Sequence, residues 1–176
     1  MEKPGLRPTS STWRRNIRTP RAWKVPSHQF STGRPIKAVQ VGGPSGTCVN
    51  VAEFGRRIAF EDVPSAGAFM VFDSTRDMFE VARNFAHFFA HESCGFCTPC
   101  RVGTALVVKR LDKLAQGHGS RHDVDVLYEL DKLMHAATHC GLGATACNPL
   151  RDTIAKFRPA YERHLKSLYF EPAFDL

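Results

Sequence analysis

From Asp73 onward, apolar side chains recur at three- and four-residue intervals, the period of a helix with one buried face. Met78, Val81, Ala82, Phe85, Phe88 and Phe89 make a first stripe that runs to His91, with Ser74 or Thr75 available as its cap. Val107, Val108, Leu111 and Leu114 make a second, stopped at Gly117-His-Gly119. Leu127, Leu130, Met134 and Ala137 make a third, starting near Asp123. Asn148-Pro149 reads as an N-cap followed by a first-turn proline. A fourth stripe follows it, through Leu150, Ile154, Phe157, Tyr161, Leu165 and Leu168. Pro159 lies inside that helix and is expected to kink or split it, because it removes a ladder donor.

Before Asp73 the period is different. Ile36–Val41 alternates, except at Ala38-Val39, and predicts a strand ended by the tight loop 42–47. Arg57–Phe60 and Ala68–Phe72 predict two more short strands around a turn at 62–67. The fold class expected is mainly α. A C-terminal four-helix bundle (74–176) follows a short β-segment (35–73) and a disordered N-terminal leader (1–34).

Charge sharpens the description of the leader. The net charge of +7 is contained in residues 1–35, where Lys3, Arg7, Arg14, Arg15, Arg18, Arg21, Lys24 and Arg34 face the single acid Glu2. The rest of the chain is balanced, so its body carries no global nucleic-acid footprint, and nucleic acid is not an expected partner. The leader is rich in Pro, Ser and Thr and has no sustained apolar period. A transit peptide, a basic docking arm and an incidental tail are its three readings, and the prolines oppose the first. No apolar run reaches the ~18–20 residues of a membrane span. The six cysteines are clustered and not spread as disulfide pairs, which favours metal binding in a reducing, cytoplasmic compartment.

The chemistry concentrates in Glu92-Ser-Cys-Gly-Phe-Cys-Thr-Pro-Cys-Arg-Val-Gly103 and, forty residues on, His139-Cys-Gly-Leu-Gly143. Cys94, Cys97 and Cys100 are each two residues apart, a spacing that lets the chain present three sulfurs to one face of a compact centre. Cys140 supplies the fourth. Structural zinc usually takes two separated Cys-x-x-Cys knuckles. The ferredoxin pattern would continue with Cys-Pro, and Thr104 stands there instead. Radical enzymes that cleave S-adenosylmethionine begin with a three-residue gap. A 4Fe-4S cluster held by Cys94, Cys97, Cys100 and Cys140 fits best, with zinc and a thiol cluster as alternatives. The second helix would start at Cys100, turning free amides and the positive dipole end toward the centre, with Arg101 adding a cation. Gly95 and Gly141 follow ligands, where they either let amides approach the sulfurs or simply make turns. Cys147 is the rival fourth ligand and reads better as a small buried residue. Cys48 is unassigned. His87 and His91 read as helix-surface residues, and His139 as either a hydrogen-bond donor to a sulfur or a surface residue. The loop 42–47 lacks the lysine of a phosphate-binding loop.

These two cysteine motifs resemble those of the flavin-binding, NADH-oxidising subunit of respiratory complex I. They resemble the diaphorase subunit of bacterial NAD-reducing hydrogenases more closely still. Residues 38–46, 54–60 and 157–162 carry the same resemblance, which runs from about Gly33 to the C-terminus. It implies that Cys94, Cys97, Cys100 and Cys140 ligate a 4Fe-4S cluster that takes electrons singly from reduced FMN. It also implies a helical cluster domain preceded by a partial β-grasp, and partners among the other subunits of such an assembly. Family members place a flavin- and NADH-binding domain upstream, and residues 1–35 do not resemble it. The expectation is an electron relay unable to oxidise NADH alone, with FMN and NADH bound only where a separate domain or partner supplies their site. The competing expectation is a non-redox module, stapled by metal or thiols, that docks a dehydrogenase partner or nucleic acid. A degenerate product without stable function is the third.

Overall fold

The computed structural model describes residues 34–165, so nearly all of the leader, and Leu168 of the fourth stripe, lie outside the described residues. Strands β1 (Ile36–Val41), β2 (Thr47–Asn50) and β3 (Phe69–Asp73) form an antiparallel sheet in the order β2-β1-β3. Helices α1 (Met78–Glu92), α2 (Thr98–Ala115) and α3 (Arg121–Ala137) follow. The short α4 (Gly141–Thr145), then α5 (Asn148–Lys156) and α6 (Arg158–Glu162), complete the helical part.

The expected helical stripes are present, with shifted edges, and Ala137, at the C-terminal end of the third helix, is exposed. Helix α1 starts four residues past Ser74, because Asp73 Oδ1 accepts both the Thr75 amide (3.0 Å) and its hydroxyl, closing a turn. The cap is Asp77, whose carboxylate accepts from the Phe79 amide at 3.0 Å. The buried face of α1 is Met78, Phe79, Ala82, Phe85, Ala86 and Phe89, while Phe88 is 44% exposed. At the other end, Phe157 leaves helical geometry (φ −129°, ψ 40°) and Pro159 enters the first turn of α6, so the fourth helix is split. Cys147, not Asn148, is the cap residue of α5, and the Asn148 amide group instead donates to Ser45 O at 2.8 Å. The core of the helical part gathers Phe79, Leu111, Leu114, Leu127, Met134, Leu150 and Tyr161. Inside it the Tyr161 and Thr153 hydroxyls satisfy one another at 2.7 Å.

The sheet departs from expectation at one strand. Arg57–Phe60 is not a strand: Asp62 bonds Arg56 Nε (2.8 Å) and the Arg57 amide (2.9 Å), curling the segment, and Phe60 is 91% exposed, so no burial draws it into a sheet. Its place is taken by β2, which returns from the 42–46 loop and pairs Val41 with Thr47 and Val39 with Val49. Val39, Val41, Val49 and Val63 cover one face; Ala38 and Cys48 pack with Met78 on the other. The free edge of β2 turns to α5, where the Cys48 amide donates to Asp152 Oδ2 (2.9 Å) and its carbonyl accepts from Lys156 Nζ. Lys156 also pairs with Glu53 at 2.7 Å. Side chains of α5 thus occupy an edge that would otherwise be open to another strand, and the sheet is tied to the helical part. Among the described residues no helix is long and apolar enough to cross a membrane.

Candidate metal centre

Two chain segments meet at one end of the helical part. The first is the connection from α1 to α2. Cys97 caps α2, Pro99 lies in its first turn, and Cys100 sits on the inner side of that turn, only 4% exposed. Several bonds hold the connection. Ser93 Oγ lies 3.3 Å from Cys100 Sγ, and the Arg101 guanidinium donates back to Gly95 O at 3.1 Å. The Thr104 hydroxyl donates to Cys100 O at 2.8 Å. Arg101 is therefore engaged in the loop itself. Gly95 takes a positive φ of 76°, a turn conformation that glycine adopts without strain.

The second segment is Thr138–Cys140, between α3 and α4. The Thr138 hydroxyl donates to Met134 O (2.7 Å), and Cys140 is the cap residue of α4. The segments meet through Cys97, Phe96 and His139. The backbone N–H of His139 reaches the Cys97 sulfur and, with the Cys100 amide, holds that thiol below the usual thiol range, against the opposing effect of burial. The rings of Phe96 and His139 lie 5.7 Å apart at 55°. Cys97 and Cys100 are buried, and Cys94 and Cys140 are exposed.

Sequence reasoning placed the structural glycines differently. A Cβ at Gly103 would stand 2.6 Å from Met134 Sδ, and one at Gly143 would stand 2.6 Å from Thr138 Cγ2. These two close approaches seat the start of α2 on the end of α3, and α4 on Thr138. Beside Gly141 nothing lies within 4 Å. The legible signal was Gly103 itself, since a glycine inside a helix opposes propensity and calls for a packing reason.

The remaining candidates separate from the site. Burial pushes the Cys147 thiol up to about 12, with Asp131 adding to the effect, and its sulfur packs 3.9 Å from Met134 Sδ. Burial likewise pushes Cys48 up to about 12 beneath the sheet. Burial of this kind favours the neutral thiol over the thiolate that a metal takes as ligand. His87 is exposed on α1 and meets Asp112 at 3.2 Å.

The donor set suits a cluster. Among the described residues no three His, Cys, Asp or Glu side chains converge as a single-ion site requires. A 4Fe-4S cluster takes one thiolate at each iron corner, so its ligands surround it instead of meeting at a point. The four cysteines of the two segments supply the number of thiolates that such a cluster takes.

Residues 80–164 match the family described as the NADH-ubiquinone oxidoreductase-F iron-sulfur binding region. The chain is 39% identical over 148 residues to the NAD-reducing hydrogenase HoxS subunit alpha of Cupriavidus necator, covering 81% of this chain and 24% of that protein. It is 32% identical over 137 residues to an NADH-quinone oxidoreductase subunit of Rhizobium meliloti, covering 74% of this chain and 32% of that protein. Among solved structures, an NAD+-reducing NiFe-hydrogenase in the H2-reduced state superposes with a TM-score of 0.74 at 47% identity, over 82% of this chain and 26% of the matched one. The chain thus spans about a quarter to a third of the length of these relatives. The matched region is, in that family, a 4Fe-4S cluster-binding region.

Proposed function

We propose that this chain, whose residues 80–164 belong to the NADH-ubiquinone oxidoreductase-F iron-sulfur binding region, holds its 4Fe-4S cluster through Cys94, Cys97, Cys100 and Cys140. It serves as a one-electron relay in a complex I-like or hydrogenase-diaphorase assembly. When bound, the cluster supplies reversible one-electron storage. FMN and NADH bind only where a separate domain or partner chain supplies their site. The organisation proposed with this reading is a leader (1–34), a β-grasp-like segment (35–73) and a cluster bundle (74–176). A reducing, cytoplasmic compartment suits its six unpaired cysteines.

The observation that carries the reading is the approach of the Cys94–Cys100 loop to His139–Cys140, where the Phe96 and His139 rings lie 5.7 Å apart. The protein's own residues have distinct tasks. The first turn of α2 directs free amides and the positive helix end toward the centre, favouring its negative charge. Buried Cys97 and Cys100 exclude water on the inner side. Exposed Cys94 and Cys140 leave the outer side open to an electron partner.

Anaerobic reconstitution with iron and sulfide, followed by iron and sulfide analysis and EPR of the reduced sample, tests the proposal. Cys140→Ala is expected to lose the cluster and Cys147→Ala to keep it. Zinc without inorganic sulfide would overturn the cluster, and the reverse mutant result would move the fourth ligand to Cys147.

A further inference from the structure

We propose that Phe96 and His139 form an aromatic clasp that positions the Cys140 segment against the three-cysteine loop, so that this ring pair sets how firmly the cluster is retained. The inference rests on the cluster reading above. Phe96 occupies the two-residue gap between Cys94 and Cys97, yet it is 79% exposed. Burial in the core therefore does not explain its placement. Its ring partner is His139, at a centroid distance of 5.7 Å and a tilt of 55°, within the range of favourable aromatic pairs. His139 immediately precedes Cys140 in the chain.

The other bonds at these segments stay on their own sides. Ser93 and Arg101 brace the three-cysteine loop internally. The Thr138 hydroxyl returns to α3, and the Cys140 carbonyl accepts from Ala144 within α4. The ring pair is the side-chain contact that crosses from the loop 94–100 to His139. Side-chain substitution at His139 removes the ring and leaves the amide, so the clasp is separable from the backbone contact. Phe96 and His139 are positioning residues, since neither is a ligand. Because Phe96 is exposed, truncating it opens no cavity in the core, and the fold is expected to survive.

The experiment uses the full chain, reconstituted anaerobically, with iron release followed on addition of the ferrous chelator bipyridyl. Phe96→Ala and His139→Ala are each expected to speed release roughly two- to tenfold, the factor an aromatic pair of ordinary strength supplies. The double variant should release iron no faster than the quicker single one, since both remove the same interaction. Phe96→Trp and His139→Phe restore a ring pair and should stay near the parent rate. In metal-free protein, a short thiol cross-linker should join Cys97 to Cys140 less efficiently in Phe96→Ala than in the parent. Unchanged release in both single variants, or additive effects in the double one, would overturn the clasp. A parent chain that takes up no iron and sulfide overturns the cluster reading instead, and the cross-linking yield then still decides the clasp.

Discussion

Asp123 is the sharpest test of what fixes the turn between α2 and α3, at the end of these helices opposite the candidate centre. Its side chain is fully buried where the end of α2 meets the start of α3. Oδ1 accepts from Arg110 at 2.7 Å and Lys113 at 3.0 Å. Oδ2 accepts from Lys113, the Ser120 amide and the Ser120 hydroxyl, each at 2.8 Å. Burial alone would push this carboxyl up, but the bonds from Lys113, Ser120 and Arg110 together outweigh it and hold it well below the usual carboxylate range. Asp123→Ala removes half of the capping box, worth about 1 kcal/mol. It also removes charge-assisted bonds of about 1.5–3 kcal/mol each. The side chains of Arg110 and Lys113 are 34% and 43% exposed and can rehydrate, which cuts that part to about 1 kcal/mol apiece. The expected loss is about 2–4 kcal/mol, read from urea denaturation of parent and variant at pH 7. The pH dependence follows from the depressed carboxyl. The contribution is fully present above the unfolded Asp value of about 3.9 and is lost as pH falls from there toward the lower folded value. The gap between parent and Asp123→Ala should be constant from pH 8 to about 5 and narrow below about 4. A loss under about 0.5 kcal/mol, or a gap that widens in acid, would refute the assignment of Asp123 as a charged staple.

The close approaches give a paired prediction. Gly143→Ala drives a methyl into the stiff Thr138 side chain, at about 1–3 kcal/mol, partly offset by about 1 kcal/mol of helix propensity. Iron content after reconstitution should fall, while Gly141→Ala, with open space beside it, should load normally; equal loading of the two would defeat the argument. Asp152→Ala should raise hydrogen exchange at the Cys48 amide, whose acceptor it removes, and should lower stability by about 1–3 kcal/mol. Unchanged protection at Cys48 would show that α5 does not close the β2 edge.

Spacing alone proposes Cys94, Cys97, Cys100 and Cys140 as ligands; the fold puts the loop 94–100 and the His139–Cys140 segment side by side, with the Phe96 and His139 rings 5.7 Å apart. The reason is local on one side only. Two-residue gaps and a first-turn proline determine how the loop 94–100 enters α2, whereas the seating of Cys140 depends on α3 packing back along α2. Gly103 and Gly143 were visible as letters of the motifs. Their role was not, because a missing Cβ has meaning only once Met134 and Thr138 stand opposite it.

The sequence by itself determined the four helical stripes, the break at Pro159, the first strand and the cysteine spacing. Each of these is a matter of neighbours within a few residues, where side-chain period and backbone restriction act directly. Tertiary structure decided what depends on distant partners. It replaced the expected strand Arg57–Phe60 with Thr47–Asn50, which α5 meets through Asp152 and Lys156 more than a hundred residues away. It moved the cap of α1 to Asp77 once Asp73 was taken up by β3 and its turn. It turned Asp123 from a helix-start residue into a buried ion cluster with Arg110 and Lys113. A local pattern states which face of an element is apolar. Which partner covers that face is settled only when the elements pack.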